Sequence, residues 1–210
     1  MPLIYLNKQY NTTLSLWLLT EETSFFDPIS RQYNKEIKKE TGKNIERKRQ
    51  WLCARHLIHN FHNTSQNLVK TRAGQPFLPH ENTYISISHS YEMVGVLTSD
   101  MPCGLDIEKR TDKLRRIRSK FVSKDENAED LLKLHLIWCA KEAMYKAYGK
   151  KKLNFKEDLS VSTPDRVQSP SGTFTGSLKK DSLTINYLLS YEIWNTYLLV
   201  MAEETHRDTT

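Results

Sequence analysis

Gly104-Leu105-Asp106-Ile107-Glu108 is the stretch that most narrows the fold of this chain. Apolar and acidic residues alternate along it, which predicts a short β-strand. Side chains two positions apart on a strand lie on the same face, so Asp106 and Glu108 are expected to point in one direction. Two carboxylates that share a face favour a bound cation.

A long helix is predicted downstream of this strand, from about Asp130 to Tyr148, with Gly149 as its end signal. It contains the segment Trp138-Cys139-Ala140-Lys141-Glu142-Ala143-Met144-Tyr145-Lys146. This segment supplies a third carboxylate and two lysines. Strand and helix together could form an oxygen-rich site for Mg²⁺ that leaves room for phosphate oxygens and water.

The pair Glu142 and Lys146 also has a simpler interpretation. Residues spaced i,i+4 in this order commonly form a surface salt bridge worth a few tenths of a kcal/mol, roughly 0.2–0.5. We favour the metal site because two further carboxylates, Asp106 and Glu108, are predicted to lie close by. Lysines beside such a cluster could hold phosphate groups.

The remaining pattern is that of an α+β protein. A further helix is predicted to begin after Asn44, which is a plausible N-cap, and the tail from Glu203 to Thr210 is expected to be frayed. Apolar, β-rich stretches predict strands at Leu3–Leu6, Leu14–Leu19, Tyr84–Ser88, Met93–Thr98, around Phe174, Leu183–Leu189 and Tyr197–Met201. No exact sequence repeat is present.

The composition is that of a globular protein. The chain has 210 residues, enough for one large domain or two small ones, and 38% hydrophobic and 27% charged residues exclude a disordered or collagen-like chain. The cysteines, Cys53, Cys103 and Cys139, lack zinc-binding spacing, which indicates buried side chains in a reducing compartment. Without a secretory signal or an early apolar run long enough to cross a bilayer, we expect a soluble cytoplasmic protein.

The charge favours an anionic partner. The net charge is +6 and the pI is near 9.1, to which a basic run contributes Lys109, Arg110, Lys113, Arg115, Arg116, Arg118 and Lys120. This run is most simply a solvated surface, or it is a landing patch for an acidic protein. A basic nucleic-acid-binding protein is an alternative, but it leaves the two acidic motifs unexplained.

The two acidic motifs together resemble the 4′-phosphopantetheinyl transferase superfamily, in particular its longer, single-chain class typified by surfactin synthetase activators. The signature of that family is a G-hydrophobic-D-hydrophobic-E strand followed, some tens of residues later, by W-S/T/C-x-K-E-A/S-x-x-K. Both are present here in that order. Further elements of that class are resembled by Gly74-Gln75-Pro76, Ile87-Ser88-His89-Ser90 and Phe121-Val122-Ser123-Lys124-Asp125-Glu126.

The resemblance implies a fold and a reaction. The fold would be a pseudo-twofold pair of α+β subdomains, residues 1–102 and 103–210, in one monomeric chain with the active site in the cleft between them. The reaction would be transfer of 4′-phosphopantetheine from coenzyme A to a serine of an apo acyl or peptidyl carrier protein, with Mg²⁺ or Mn²⁺, releasing adenosine 3′,5′-bisphosphate. Neither membrane nor nucleic acid is expected as a partner. Another Mg²⁺-dependent enzyme, such as a phosphohydrolase, is an alternative because its carboxylate cluster would look alike.

The resemblance also implies roles for individual residues. The metal ligands would be Asp106, Glu108 and Glu142, with Glu126 as a possible additional carboxylate. The catalytic residues would be Asp106, Glu142 acting as the base, and Lys146 at the departing nucleotide. Coenzyme A would be bound by Arg49, Gly74, Gln75, Pro76, Ser88, His89, Lys141 and Lys146, with Ser88, His89 and Arg49 at the adenosine 3′-phosphate. Gln75 stands where the family often has Lys or Arg, so one phosphate contact is missing or is made by Arg72 instead.

Overall fold

The computed structural model describes residues 3–9, 11–62, 68–72, 74–79, 82–128, 130–150, 152–164 and 166–209. Within these residues, two antiparallel β-sheets and their helices form an α+β fold with two subdomains, as predicted. The first sheet ends at Ser99 and the second begins at Cys103. The division at residues 1–102 and 103–210, and the pseudo-twofold relation of the two halves, stay predictions.

The N-terminal half has its described strands in one sheet, in the order β1-β2-β6-β5-β4-β3. These strands are β1 (Leu3–Gln9), β2 (Thr12–Leu18), β3 (Val69–Lys70), β4 (Pro76–Phe77), β5 (Tyr84–Ser90) and β6 (Met93–Ser99). Its helices are a 3₁₀ turn at Thr23–Phe26, α1 (Asp27–Gln32), α2 (Asn34–Thr41) and α3 (Ile45–Phe61). The sheet is covered by α3, which buries Leu52, Cys53 and Leu57 against it.

The C-terminal half has a second antiparallel sheet, in the order β7-β11-β10-β9-β8, and one long helix among the described residues. Its strands are β7 (Cys103–Lys109), β8 (Leu159–Ser162), β9 (Ser171–Lys180), β10 (Leu183–Trp194) and β11 (Tyr197–Thr209). Its helices are a 3₁₀ helix at Asp112–Lys120 and α4 (Leu131–Tyr148). No helix in the described part of the chain has both the length and the apolar character needed to span a membrane.

The two long helices begin and end where the sequence indicates. The Asn44 side chain accepts a hydrogen bond from the backbone N–H of Arg47 at 2.8 Å, and the Asp130 side chain accepts one from Lys133 at 2.8 Å. Both are N-cap interactions that satisfy a free N–H of the first turn. Gly149 ends α4 in the left-handed conformation, with a φ of 68°.

Residues 203–209 of the C-terminal tail lie in β11, so the prediction that they are frayed was wrong, and Thr210 lies outside the described residues. The ladder of β11 with β10 continues until Thr209 lies opposite Leu183. Within the tail, the Arg207 guanidinium donates hydrogen bonds of 2.6 and 2.7 Å to the two oxygens of Glu204. The tail composition predicts no strand by itself. The long β10 strand provides the partner that its backbone needs.

The two sheets pack against each other through a shared apolar core. This core buries residues from both halves: Leu14, Leu16, Met93, Leu97, Cys103, Leu105, Ile107, Tyr197 and Leu199. A fully buried leucine of this kind stabilises a fold by about 2 kcal/mol. The halves therefore form one body, and any cleft between them has packed walls.

A row of serines joins β5 of the first sheet to β7 of the second. The hydroxyl groups accept backbone hydrogen bonds from β7 in three pairs: Leu105 to Ser86 at 2.9 Å, Ile107 to Ser88 at 3.0 Å and Lys109 to Ser90 at 3.1 Å. Side chains alternate along a strand, so these serines share one face of β5. Their hydroxyls satisfy the N–H groups along one edge of β7.

Candidate active site between the two halves

The carboxylates predicted to bind metal come from β7 and α4, which lie in close contact. A Cβ atom on Gly104 would lie 1.9 Å from the carbonyl oxygen of Ala143, so only glycine allows the strand to approach the helix this closely. The approach brings Asp106 and Glu108 of β7 near Glu142 of α4, and their negative charges repel one another. The three carboxylates therefore form one electrostatic group.

Asp106 is the most buried member of this group, with 5% of its surface exposed. Its Oδ1 accepts hydrogen bonds from Lys146 Nζ at 2.8 Å and from Ser88 Oγ at 3.3 Å. Its Oδ2 is buried and has no nitrogen or oxygen donor within hydrogen-bond distance among the described residues, and a weak donor, the buried thiol of Cys139, lies next to this carboxylate. A buried carboxylate oxygen without a partner is costly, and a ligand that binds this atom would remove the cost.

Glu108 is half-buried at the same face of β7. Its Oε1 accepts a hydrogen bond from Trp138 Nε1 and its Oε2 accepts one from Ser90 Oγ, both at 3.3 Å. Partial burial raises the pKa of Glu108, and the charge of Asp106 raises it further, against the effect of these hydrogen bonds. The neighbouring carboxylate therefore disfavours the charged form of Glu108 unless a cation is present.

Glu142 extends from α4 toward the same group and makes no hydrogen bond or ion pair in the part of the chain described. Partial burial and then the charge of Asp106 raise its pKa to about 7, although Lys146 opposes this effect. A carboxyl group with a pKa near 7 exchanges a proton readily at neutral pH. It is suited to act as a base.

Lys146 links the two halves through both ends of the residue. Its Nζ donates hydrogen bonds to Asp106 Oδ1, to Ser88 Oγ at 3.0 Å and to the carbonyl of Leu105 at 2.8 Å. Its own carbonyl accepts a hydrogen bond from the side chain of Gln75 at 3.2 Å. Its ammonium group therefore lies between the carboxylates and the cleft.

The donor set fits a hard divalent cation. Asp106 offers an unpartnered oxygen, and the mutual repulsion of the three carboxylates would be relieved by a positive charge. As the side chains stand, the described residues include no group of three or more His, Cys, Asp or Glu close enough to hold a metal ion. The ammonium group of Lys146 occupies part of the space beside Asp106, so metal binding requires these side chains to shift.

Two cavities flank the turn Gly74–Pro76. The first, of about 250 Å³, lies between this turn and the end of α4, where Tyr145, Lys146 and Lys150 line it. The second, of about 200 Å³, lies between the turn and α3. Pro76 and Ile87 line both cavities, so the two are neighbours. The resemblance implies an adenine contact at the Gly74–Pro76 turn, and both cavities border that turn.

The second cavity is rich in positive charge. Its lining includes Arg47, Arg55, His89 and Lys70, together with Glu40, which forms an ion pair with Lys70. Partial burial lowers the pKa of His89, and the charges of Lys146 and Arg47 lower it further, although Glu46 and a backbone hydrogen bond oppose them. Arg55 is almost fully buried against the Trp51 ring, and its Nε has no partner among the described residues. This cavity suits an anion such as a phosphate group.

Sequence reasoning named Arg49 as the arginine of α3 that meets a phosphate, and the structure differs here. Arg49 Nε donates a hydrogen bond of 2.8 Å to the carbonyl of Glu21, and the residue lines another cavity with Tyr91. Arg47 lines the basic cavity instead. The missed signal is helical phase, because Arg47 shares a helix face with Trp51 and Arg55, whereas Arg49 does not.

Lys141 and Glu126 were named as a coenzyme A contact and an additional carboxylate, but they form a buried ion pair. Lys141 is fully buried, and its Nζ donates to Glu126 Oε2 at 2.8 Å and to the carbonyls of Phe121 and Phe155 at 2.7 and 2.8 Å. Glu126 Oε1 in turn accepts the N–H of Val161. With all three ammonium protons donated to the protein, Lys141 holds the loops around α4 and has none left for a ligand.

The basic run lies on the surface, next to the carboxylates in sequence. Lys109 ends β7, and the exposed bases of the 3₁₀ helix are Lys113, Arg115, Arg116, Arg118 and Lys120. Leu114 and Ile117 pack this helix against the C-terminal core. His135 of α4 accepts a hydrogen bond of 3.1 Å from the backbone N–H of Thr111, which anchors the segment where it leaves β7. The bases therefore form a positively charged surface on an anchored segment.

The C-terminal half of the chain is similar to a known protein family. Residues 102–199 match the family model described as the 4′-phosphopantetheinyl transferase superfamily. No curated protein matches the chain. The matched residues include β7, the basic 3₁₀ helix and α4, and therefore all three candidate carboxylates. Residues 102–199 are therefore similar to the 4′-phosphopantetheinyl transferase superfamily at the positions of these carboxylates.

Proposed function

We propose that this protein transfers the 4′-phosphopantetheine group of coenzyme A to a serine hydroxyl of an apo acyl or peptidyl carrier protein and releases adenosine 3′,5′-bisphosphate. The observation that carries the proposal is the cluster Asp106, Glu108 and Glu142, which lies at the junction of the two halves within the region matched by the family. The cleft beside this cluster has a basic end for the nucleotide phosphates.

The metal of this reaction would be held by Asp106, Glu108 and Glu142. Bound there, Mg²⁺ or Mn²⁺ would neutralise charge on the coenzyme A pyrophosphate. Asp106 Oδ2 is suited to this role because it is buried and without a partner in the part of the chain described. Ser88 and Lys146 already hold the other oxygen of this carboxylate.

Glu142 would act as the base. The carrier serine must lose its proton as its oxygen attacks the β-phosphorus of coenzyme A, and the P–O bond to the nucleotide breaks in the same exchange. With its pKa raised to about 7, Glu142 can accept that proton directly or through a water molecule. Lys146 donates its three ammonium protons to Ser88, Leu105 and Asp106, and the shift that metal binding requires would free one of them to stabilise the negative charge on the departing phosphate.

The adenosine end of coenzyme A would lie along the Gly74–Pro76 turn. The cavity between this turn and α4 would receive the base, and the basic cavity with Arg47, Arg55 and His89 would receive the 3′-phosphate. Charge-assisted hydrogen bonds from a buried arginine are among the stronger polar contacts of proteins. In this arrangement Arg47 takes the role that the sequence assigned to Arg49.

The carrier protein would approach along the exposed basic 3₁₀ helix, Asp112–Lys120. An acidic carrier would be steered by these charges, and added salt would screen the attraction. The absence of disulfides among the buried cysteines fits a reducing environment, so we place the reaction in the cytoplasm. We also propose that the enzyme acts as a monomer of the longer, single-chain class.

Intact mass spectrometry of an apo carrier protein tests the function. The carrier is incubated with the enzyme, coenzyme A and Mg²⁺, and we expect a mass gain of one phosphopantetheine group that EDTA prevents. Asp106→Asn should abolish the gain, whereas Asp100→Asn, at an exposed aspartate outside the site, should preserve it. No gain with several unrelated carriers and a folded enzyme would contradict the proposal.

The same experiment separates the alternatives. Release of inorganic phosphate without a carrier would indicate a phosphohydrolase instead. Tight, salt-dependent binding of RNA or DNA with no affinity for coenzyme A would indicate that the basic surface binds nucleic acid.

A further inference from the structure

The three serines of β5 make the same backbone contact with β7 but differ in one respect. Each hydroxyl oxygen accepts a β7 N–H at 2.9 to 3.1 Å. Ser88 then donates its own proton to Asp106 Oδ1, and Ser90 donates to Glu108 Oε2, both at 3.3 Å. For Ser86, the described residues give no carboxylate partner.

The difference follows from the side chains that β7 carries next to these serines. Its residues 104, 106 and 108 alternate toward one face, and they are glycine, aspartate and glutamate. Ser86 bonds the strand next to Gly104, which has no side chain to accept a proton. The row of serines is thus regular in its backbone bonds, and only two of its members touch a candidate metal ligand.

The backbone bonds fix where these hydroxyls can point. Ser88 Oγ accepts hydrogen bonds from Ile107 N–H and from Lys146 Nζ, so both of its lone pairs are used and its proton is left for Asp106. Ser88 therefore contacts both members of the Asp106–Lys146 ion pair. It has no remaining donor or acceptor for a phosphate group, which differs from the role that the sequence suggested.

We propose that Ser88 and Ser90 are positioning residues that hold the carboxylates of Asp106 and Glu108 in the orientation needed to bind the divalent cation, an inference that rests on the proposed function. By donating to Asp106 Oδ1, Ser88 leaves the buried Oδ2 for the cation, including after Lys146 has shifted to admit it. Ser90 acts in the same way on Glu108, opposite Trp138. Residues that orient metal ligands in this way commonly change metal affinity when they are replaced.

The test compares Ser86→Ala, Ser88→Ala and Ser90→Ala with the full-length wild-type protein. Binding of Mn²⁺ alone is followed by the loss of its free-ion EPR signal, and stability is followed by thermal unfolding of the metal-free protein. Each variant loses one backbone contact between the sheets, and the Ser88 and Ser90 variants also lose a carboxylate contact, so we expect a fall in Tm for all three that is smallest for Ser86→Ala. Mn²⁺ affinity should fall about tenfold in the Ser88 and Ser90 variants, and by less than about twofold in the Ser86 variant.

Ser88→Thr serves as the conservative control, because threonine keeps the hydroxyl and suits a strand. We expect it to recover most of the Mn²⁺ affinity. Equal Mn²⁺ affinities for the three alanine variants, all of them folded, would overturn the inference while wild-type binding and transfer still support the proposed function. A folded wild-type protein that neither binds Mn²⁺ nor modifies a carrier would overturn both.

Discussion

The side chain of Gln75 lies directly against Gly149 across the cleft between the two halves. A Cβ atom on Gly149 would lie 2.0 Å from Gln75 Oε1, and Gln75 Nε2 donates a hydrogen bond to the carbonyl of Lys146 in the last turn of α4. Gly149 also has a φ of 68°, which glycine adopts without strain. The contact ties the Gly74–Pro76 turn to the end of the helix that carries Glu142 and Lys146.

Gly149→Ala should destabilise the protein for two separate reasons. The left-handed backbone costs about 1 kcal/mol for a residue with a side chain, and the added methyl group collides with Gln75. We expect the free energy of unfolding, measured by urea denaturation, to fall by about 2 kcal/mol or more. The double variant Gln75→Ala/Gly149→Ala removes the collision, so it should be less destabilised than the sum of the single variants. Strict additivity would contradict the contact.

Replacing Lys141 should affect folding rather than ligand binding. Lys141→Met leaves the buried charge of Glu126 without its cation, and loss of one partner of a buried ion pair costs about 3–5 kcal/mol. Urea denaturation should show this loss. Lys141→Met/Glu126→Gln removes both charges and keeps one acceptor oxygen for the two neighbouring N–H groups, so it should be more stable than Lys141→Met. A direct phosphate contact would instead raise the KM for coenzyme A and leave stability unchanged.

Glu142 should make the metal-free protein less stable as the pH rises. Its pKa is about 7 in the folded state, against an ordinary value of 4.5 for a glutamate, so the folded state holds its proton more tightly than the unfolded chain does. Stability from this group is therefore full below pH 4.5 and is lost as the pH rises through 7. In EDTA, Glu142→Gln should match the wild type near pH 4 and exceed it by about 3 kcal/mol at pH 8. An equal pH dependence in both proteins would refute the shift.

His62 should make the protein less stable as the pH falls, which is the opposite pH dependence to that of Glu142. It lies between Ser15 Oγ, 2.7 Å from its Nε2, and Thr98 Oγ1, 2.8 Å from its Nδ1, and burial followed by the charge of Lys8 lowers its pKa to about 4. The unfolded chain takes up a proton near pH 6.5, so stability is lost as the pH falls from 6.5 to 4, by about 3 kcal/mol. In His62→Gln this acid-dependent loss should disappear from the unfolding free energy. His206→Gln, at an exposed histidine, is the matched control.

Local signals in the sequence were sufficient for the elements that carry the site. Apolar and acidic residues alternate at Gly104–Glu108, so β7 could be predicted. The helices α3 and α4 could be predicted because their cap residues, Asn44, Asp130 and Gly149, form their capping hydrogen bonds with residues close to them in sequence. The strand formed by the tail could not, because its partner, β10, is a tertiary neighbour. The role of Ser88 could not be predicted from the sequence either, because it depends on the tertiary contact between β5 and β7.

The two lysines of the helix motif show the same limit. Lys141 and Lys146 are five positions apart, so their side chains leave α4 about 140° apart. One of them is buried with Glu126 and the other lies beside Asp106. A motif states which residues are present, but only the placement of the helix decides which of them faces the cleft.

Two arginines of α3 allow the proposed 3′-phosphate contact to be tested, because Arg47 is the proposed contact and Arg49 is a control with the same side chain. Arg47 and Arg49 leave the helix about 160° apart, and Arg47 lines the basic cavity while Arg49 binds the carbonyl of Glu21. Arg47→Ala should raise the KM for coenzyme A about tenfold or more, because a hydrogen bond to a charged group contributes about 1.5–3 kcal/mol. With dephospho-coenzyme A, which lacks the 3′-phosphate, the same variant and the wild type should have similar KM values. Arg49→Ala should change neither KM by more than about twofold, and a larger effect from Arg49 than from Arg47 would return the contact to the residue that the sequence first suggested.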